Sequence, residues 1–131
     1  MSNNAYNKYK QTQVTTASRG KILLMLYEAC MKNLRIAADA INRKDLAEKG
    51  KHIVKAHDII NELSLSLNHE VGGNISKELE RLYVYMVEQI TEANVKNDSK
   101  PIEITLKLLQ TLYEGWVEAV AKADVSKVSN E

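Results

Sequence analysis

The feature that most constrains this chain is the spacing of its apolar residues, which recur every three or four positions in four successive runs divided by short polar breaks. That spacing lines one face of an α-helix, because about 3.6 residues complete a turn, and nothing alternates at period two over the length of a strand. The first run covers 19–42 and places Ile22, Leu26, Ala29, Asn33, Ile36 and Ala40 on one stripe, widened by Leu23, Cys30, Leu34, Ala37 and Ile41. Ser18 precedes it as a candidate N-cap, whose hydroxyl accepts from an amide otherwise unpaired in the first turn.

The second run starts near Asp45, also a capping residue type, with Leu46, Lys49, Ile53, Ala56, Ile60, Leu63 and Leu67 in register. Only Arg43 and Lys44 separate it from the first, so these two helices are expected to be antiparallel neighbours. Gly72 and Gly73 are expected to break the pattern, with Asn74 capping a third run over 75–95 that carries Ile75, Leu79, Leu82, Met86 and Ile90. Pro101 then sits where a helix start tolerates a missing amide hydrogen, with Ser99 or Lys100 at the cap. The fourth run holds Ile102, Leu106, Leu109, Leu112 or Tyr113, Trp116 and Val120, and its pattern is lost after Ala123. The predicted fold is all-α, an antiparallel up-and-down four-helix bundle with an extended N-terminal arm. Residues 1–17 form the arm, 18–122 the bundle and 123–131 a flexible tail.

A chain of 131 residues supports one core, and its 44% hydrophobic and 27% charged residues are ordinary for a globular domain. The net charge of +1 gives no global field to attract nucleic acid or an anionic membrane. Charge is uneven along the chain: residues 1–44 hold eight bases and two acids, the remainder ten bases and fifteen acids. Without interleaved stacking aromatics, this reads as internal complementarity rather than as a stripe for RNA. No apolar run approaches the roughly 20 residues that span a bilayer. The first residues, MSNNAYNKYK, lack the apolar core of a secretory signal. A cytoplasmic protein without stable membrane insertion is expected. Cys30 is the only cysteine; it excludes an internal disulfide and has the spacing of a small buried hydrophobe.

Motifs that carry chemistry are missing. A di-metal bundle needs Glu followed three residues later by His, twice, and no Glu here has that partner. His52 and His57 are five apart, on different helix faces, and His69 lies in a break. Gly72-Gly73 lacks the spacing of a phosphate-binding loop, and the serines lack a nucleophile elbow. Neither an enzyme nor a cofactor is expected. What remains is apolar surface in excess of four-helix packing. Val54, Ile59 and Leu65 fall outside the second stripe, and Val84 and Tyr85 outside the third, which favours a groove for another helix or an extended peptide. The arm has the same character, with Tyr6, Tyr9 and Val14 set in a polar segment that has no core of its own.

These residues resemble the flagellar secretion chaperone family over about residues 5–120. The resemblance is carried by Tyr6-x-x-Tyr9, Val14-x-Thr16-Ala17-Ser18 and Leu23-x-Met25-Leu26-Tyr27-Glu28-Ala29. It continues through Gly72-Gly73, Leu79-Glu80-Arg81-Leu82-Tyr83-Val84-Tyr85-Met86 and Leu108-Leu109-x-x-Leu112-x-x-Gly115-Trp116. Arg19-Gly20 departs from the Pro and acidic residue common after the Ser, and is expected to loosen the first turn; Cys30 replaces a small residue, often Gly. The resemblance implies a four-helix bundle that binds the C-terminal segment of flagellin, prevents its premature polymerisation and docks on the cytoplasmic domain of the flagellar export gate. Tyr27, Leu63, Leu67, Tyr83 and Met86 are the candidate client-side residues of the bundle, with Tyr6, Tyr9 and Val14 as a removable cover. The alternative is a helical adaptor that acts by self-association through its spare apolar flank.

Overall fold

Three short connections decide the architecture. The computed structural model describes residues 16–129, with side chains for 19–123, as four helices: α1 (Thr16–Asn42), α2 (Leu46–Leu65), α3 (His69–Lys96) and α4 (Lys100–Ser129). Each connection is three residues long, which can only reverse the chain, so consecutive helices are antiparallel. α1 also packs on α4 and closes a ring, leaving α1 opposite α3 and α2 opposite α4 across the core.

The turn after α1 is held by two backbone bonds, Lys44 N to Ile41 O at 3.1 Å and Asp45 N to Ala40 O at 2.9 Å. Lys44 takes the left-handed conformation, φ 61°, that this form of helix end requires. Asp45 caps α2 as its residue type suggested, accepting from the Glu48 amide at 3.2 Å. Asn97 ends α3 in the same way, at φ 53°, with the Asp98 amide on Ala93 O at 3.2 Å. Buried Lys49 locks that end to α2: its Nζ donates to Asn94 O at 3.0 Å and to Asn97 Oδ1. A cation among the last carbonyls of a helix is where the helix dipole favours one.

Several boundaries differ from the sequence reading. α1 starts at Thr16, so Ser18 is inside the helix and is not its cap. Gly20 lies inside α1, where it faces α4. A Cβ at Gly20 would stand 2.9 Å from Val120 Cγ1, so the glycine allows α1 to lie close against α4. α4 continues to Ser129, past the expected limit at 123, because no glycine or proline interrupts it there. Asn68, not Asn74, caps α3, accepting from the Glu70 and Val71 amides at 3.1 Å each.

The glycine pair bends α3 instead of ending a helix. Gly73 is its one non-helical residue, at φ 51° and ψ −122°, and a Cβ at Gly72 would stand 1.8 Å from Ser76 Oγ. The bend changes which side chain faces inward: Ser76 is buried and donates to Asn68 O at 3.1 Å, whereas Ile75, expected in the core, is 70% exposed. The buried face of α1 is also rotated, centred on Tyr27, Cys30, Leu34 and Ala37. Its largest group takes the centre, and Asn33 moves to the seam with α2, donating to Ala29 O at 2.8 Å while its Oδ1 meets His52 Nδ1 at 2.7 Å.

Two glycines therefore respond oppositely to alanine. Gly73→Ala forces a side chain into a glycine-only conformation and is expected to cost about 1–3 kcal/mol. Gly50→Ala, inside α2 with nothing within 4 Å of the new Cβ, is expected to stabilise by about 0.5–1 kcal/mol. Urea denaturation of the two variants checks both signs.

Candidate functional site

Two side chains span the diagonal of the ring that the backbones leave open. Tyr27 from α1 and Tyr83 from α3 place their hydroxyl oxygens 2.6 Å apart, and Trp116 Nε1 from α4 donates to Tyr27 Oη at 3.1 Å. Tyr27 and Tyr83 are 0% and 2% exposed, so this polar chain lies inside an apolar core and satisfies itself there. Burial pushes both phenols above their ordinary value, in Tyr83 with Tyr27 beside it as a further cause. Cys30 lies next to them, 0% exposed, and burial pushes its thiol up to about 12. A thiol held protonated is a packing group and not a nucleophile.

On one side of the tyrosines the core is filled by Leu34, Met86, Ile90, Ile102 and Leu109. On the other it opens. The start of α1, the end of α2, the start of α3 and the last turns of α4 converge at this pole, where two hollows meet. One, of about 430 Å³, lies between α1 and α4 and is lined by Gly20, Ile22, Leu26, Ala119 and Val120. The other, of about 290 Å³, lies against α3 and is lined by Leu63, Leu67, Val71, Ile75, Leu79 and Tyr83. Leu23, Ser66 and Trp116 line both, so the tryptophan is at once an end of the hydrogen-bonded chain and the wall between the hollows. A smaller hollow of about 190 Å³ follows the α2–α3 flank past Ile60, Ser64, Val84 and Val87.

The rim of this pole is apolar and exposed. Val71 is 85% exposed and Ile75 70% exposed, and both line the second hollow. The surplus apolar residues read from the sequence divide accordingly: Val54, Leu65, Val84 and Tyr85 are exposed, whereas Ile59 is half-buried against the core. Of the candidate client-side residues, Leu63, Leu67 and Tyr83 line the second hollow, while Tyr27 and Met86 are fully buried beneath it. Tyr6, Tyr9 and Val14 lie outside the described residues. Sequence reading missed Leu23, Val71, Ile75 and Trp116 as parts of one surface. The glycine pair was the signal for Val71 and Ile75, because a bend there takes flanking apolar groups out of register.

The histidines are separate. His52 bridges Asn33 and Glu48, His57 lies beside Asn61 and Asp58, and His69 Nε2 is 2.8 Å from Glu80 Oε2. Among the described residues no three of His, Cys, Asp and Glu come together as a metal site would require. No helix among them is long and apolar enough to cross a membrane.

The tyrosine chain predicts an order of costs. Tyr27→Phe leaves both the Trp116 indole and the Tyr83 hydroxyl without a partner and should destabilise by about 1–3 kcal/mol; Tyr83→Phe leaves the Trp116 bond in place and should cost about 0.5–1.5 kcal/mol. Chemical denaturation compares them. The buried thiol also sets a pH dependence. Its contribution to stability is complete below the ordinary value of 9.0, where folded and unfolded chains are both protonated, and is lost as pH rises toward about 12. The two raised phenols act with the same sign. Melting temperature should therefore fall on the alkaline side of 9.0, and alkylation of Cys30 at neutral pH should proceed only at the rate of unfolding.

The pole can be set beside known proteins. A family model described as Flagellar protein FliS matches residues 2–123. The Flagellar secretion chaperone FliS of Bacillus subtilis (strain 168) is 34% identical over 117 residues, 89% of this chain and 86% of that protein. Its counterpart in Vibrio cholerae is 35% identical over 113 residues, covering 86% and 83% of the two chains. A solved structure described as a flagellar chaperone from bacteria superposes with a TM-score of 0.75 at 25% identity, covering 93% of this chain and 99% of that one. The match covers α1, α2 and α3, α4 as far as residue 123, and the residues lining both hollows, and this chain belongs to the FliS family of flagellar secretion chaperones.

Proposed function

We propose that this chain is a cytoplasmic export chaperone that binds the C-terminal segment of flagellin, prevents its premature polymerisation and delivers it to the flagellar type III export apparatus. The observation that carries this reading is the open pole, where two apolar hollows meet at Trp116 beside exposed Val71 and Ile75. An amphipathic client segment would complete the core there. Leu63, Leu67 and Tyr83 supply the floor of the second hollow, and Tyr27 and Met86 support it from below. The α2–α3 flank, with exposed Val84 at its own hollow, offers a continuation for a longer client.

Binding of this kind couples folding to association. The client's ordering opposes part of the gain from apolar burial, which keeps affinity moderate for the area covered and leaves the client releasable. The segment carrying Tyr6, Tyr9 and Val14 joins α1 at Thr16, beside the hollow lined by Gly20 and Val120. In this reading it covers that hollow until client displaces it. The loaded chaperone then docks on the export gate's cytoplasmic domain. No nucleotide, metal or nucleic acid enters the cycle.

Co-expression with flagellin should give a one-to-one complex on size exclusion, lost when the last few tens of flagellin residues are removed. Trp116 is the only tryptophan and lines both hollows, so its emission should shift to the blue on loading. Val71→Asp or Ile75→Asp, at exposed positions, should leave the fold intact and weaken the complex about tenfold or more, the scale of one lost apolar side chain. Failure of full-length flagellin to co-elute, with self-association in its place, would instead select the adaptor reading.

A further inference from the structure

The first turn of α3 is built as a separable unit. Residues 69–72 close on Asn68, whose side chain accepts from Glu70 and Val71 and whose carbonyl accepts from the Gly72 amide at 2.8 Å. The next residue, Gly73, leaves the helical conformation altogether, and α3 resumes after it. A glycine has wide freedom in φ and ψ, so this is the point about which the turn can move as a body. Two side-chain contacts join it to the rest of α3: Ser76 Oγ on Asn68 O, and His69 Nε2 on Glu80 Oε2 at 2.8 Å, which reaches across the bend.

The turn carries Val71, which is 85% exposed although it borders the unfilled apolar hollow lined by Leu67, Leu79, Tyr83 and Trp116. An apolar side chain in water beside an apolar cavity favours inward movement, and the His69–Glu80 contact opposes it. We propose that residues 69–72 form a hinged flap that pivots at Gly73 between the latched, open position seen here and a closed position that seats Val71 in the hollow. The inference rests on the client-binding reading for its purpose: the closed flap hides apolar surface in the free chaperone, and the latched flap presents Val71 and Ile75 to client. The two glycines then have distinct parts, Gly73 as the pivot and Gly72 as the residue that lets the turn fold onto Ser76.

The motion can be read in the free, full-length protein. A bimane label at Val71→Cys, in a Cys30→Ala background, is quenched at short range by Trp116, the only tryptophan. Removing the latch with Glu80→Gln or, independently, His69→Gln should raise the closed-to-open ratio about two- to five-fold, the range that loss of one exposed contact allows. Gly73→Ala, which strains the glycine-only conformation of the latched state, should by itself raise the ratio, and circular dichroism shows whether each variant is folded. Quenching unchanged in both folded latch variants overturns the flap, even where flagellin co-elutes. A response to latch removal supports it, even where flagellin does not bind. A flagellin C-terminal peptide that binds without lowering the quenching overturns the proposed purpose.

Discussion

The bond between Tyr27 and Tyr83 is the constraint on which the rest of the structure depends. Four helices in a ring leave their opposite members too far apart for backbone contact, and the diagonal must be filled by long side chains. The chain contains no phenylalanine and uses tyrosine for this purpose, with the hydroxyls meeting at 2.6 Å and the Trp116 indole completing the group. A single unpartnered hydroxyl there would cost more than it contributed. Paired, the three aromatic residues fix the separation of α1, α3 and α4 and form the floor of the open pole. The filled core lies on one side of them and the hollows on the other.

Much of this was legible from periodicity. Helix number, order and antiparallel pairing follow from four apolar runs and the short breaks between them, and Asp45 and Pro101 mark helix starts for local chemical reasons that tertiary structure does not override. Ser18 misled because a capping residue type is also tolerated within a first helical turn. Which stripe of α1 faces inward was not legible either. A stripe through Ile22 and Ile36 and one through Tyr27 and Leu34 differ by a modest rotation, and the choice rests on cross-bundle partners such as Tyr83 and His52. The glycine pair was legible as an interruption, though not as a bend within one helix, because that depends on Ser76 reaching back to Asn68.

The candidate surface was the least legible part, for a physical reason. Sequence pattern marks residues that pack, and a surface kept for a partner uses the same residue types. Leu63 and Leu67 belong to the ordinary stripe of α2 and yet line a hollow, whereas Ile75 belongs to the expected stripe of α3 and is exposed. The distinction arises only where the helices stop covering one another. Gly20 shows how local that is: lacking a side chain, it lets α1 approach Val120, and both residues line the larger hollow.

An incomplete core suits a secretion chaperone because it separates stability from client affinity. Below the aromatic floor, Leu34, Met86, Ile90, Ile102 and Leu109 are fully buried and supply the packing that holds the bundle without help. Above it, Leu23, Leu67 and Trp116 remain partly exposed, so the gain from covering them is still available, as the proposed client site requires. A core closed at both ends would be more stable but would leave no such surface. A core open below the tyrosines as well would lose its fold with its client. In the proposed reading the tyrosine pair marks the depth at which the fold can stand alone and a client can still contribute, and Trp116, bonded to Tyr27 and lining both hollows, joins that floor to the open surface.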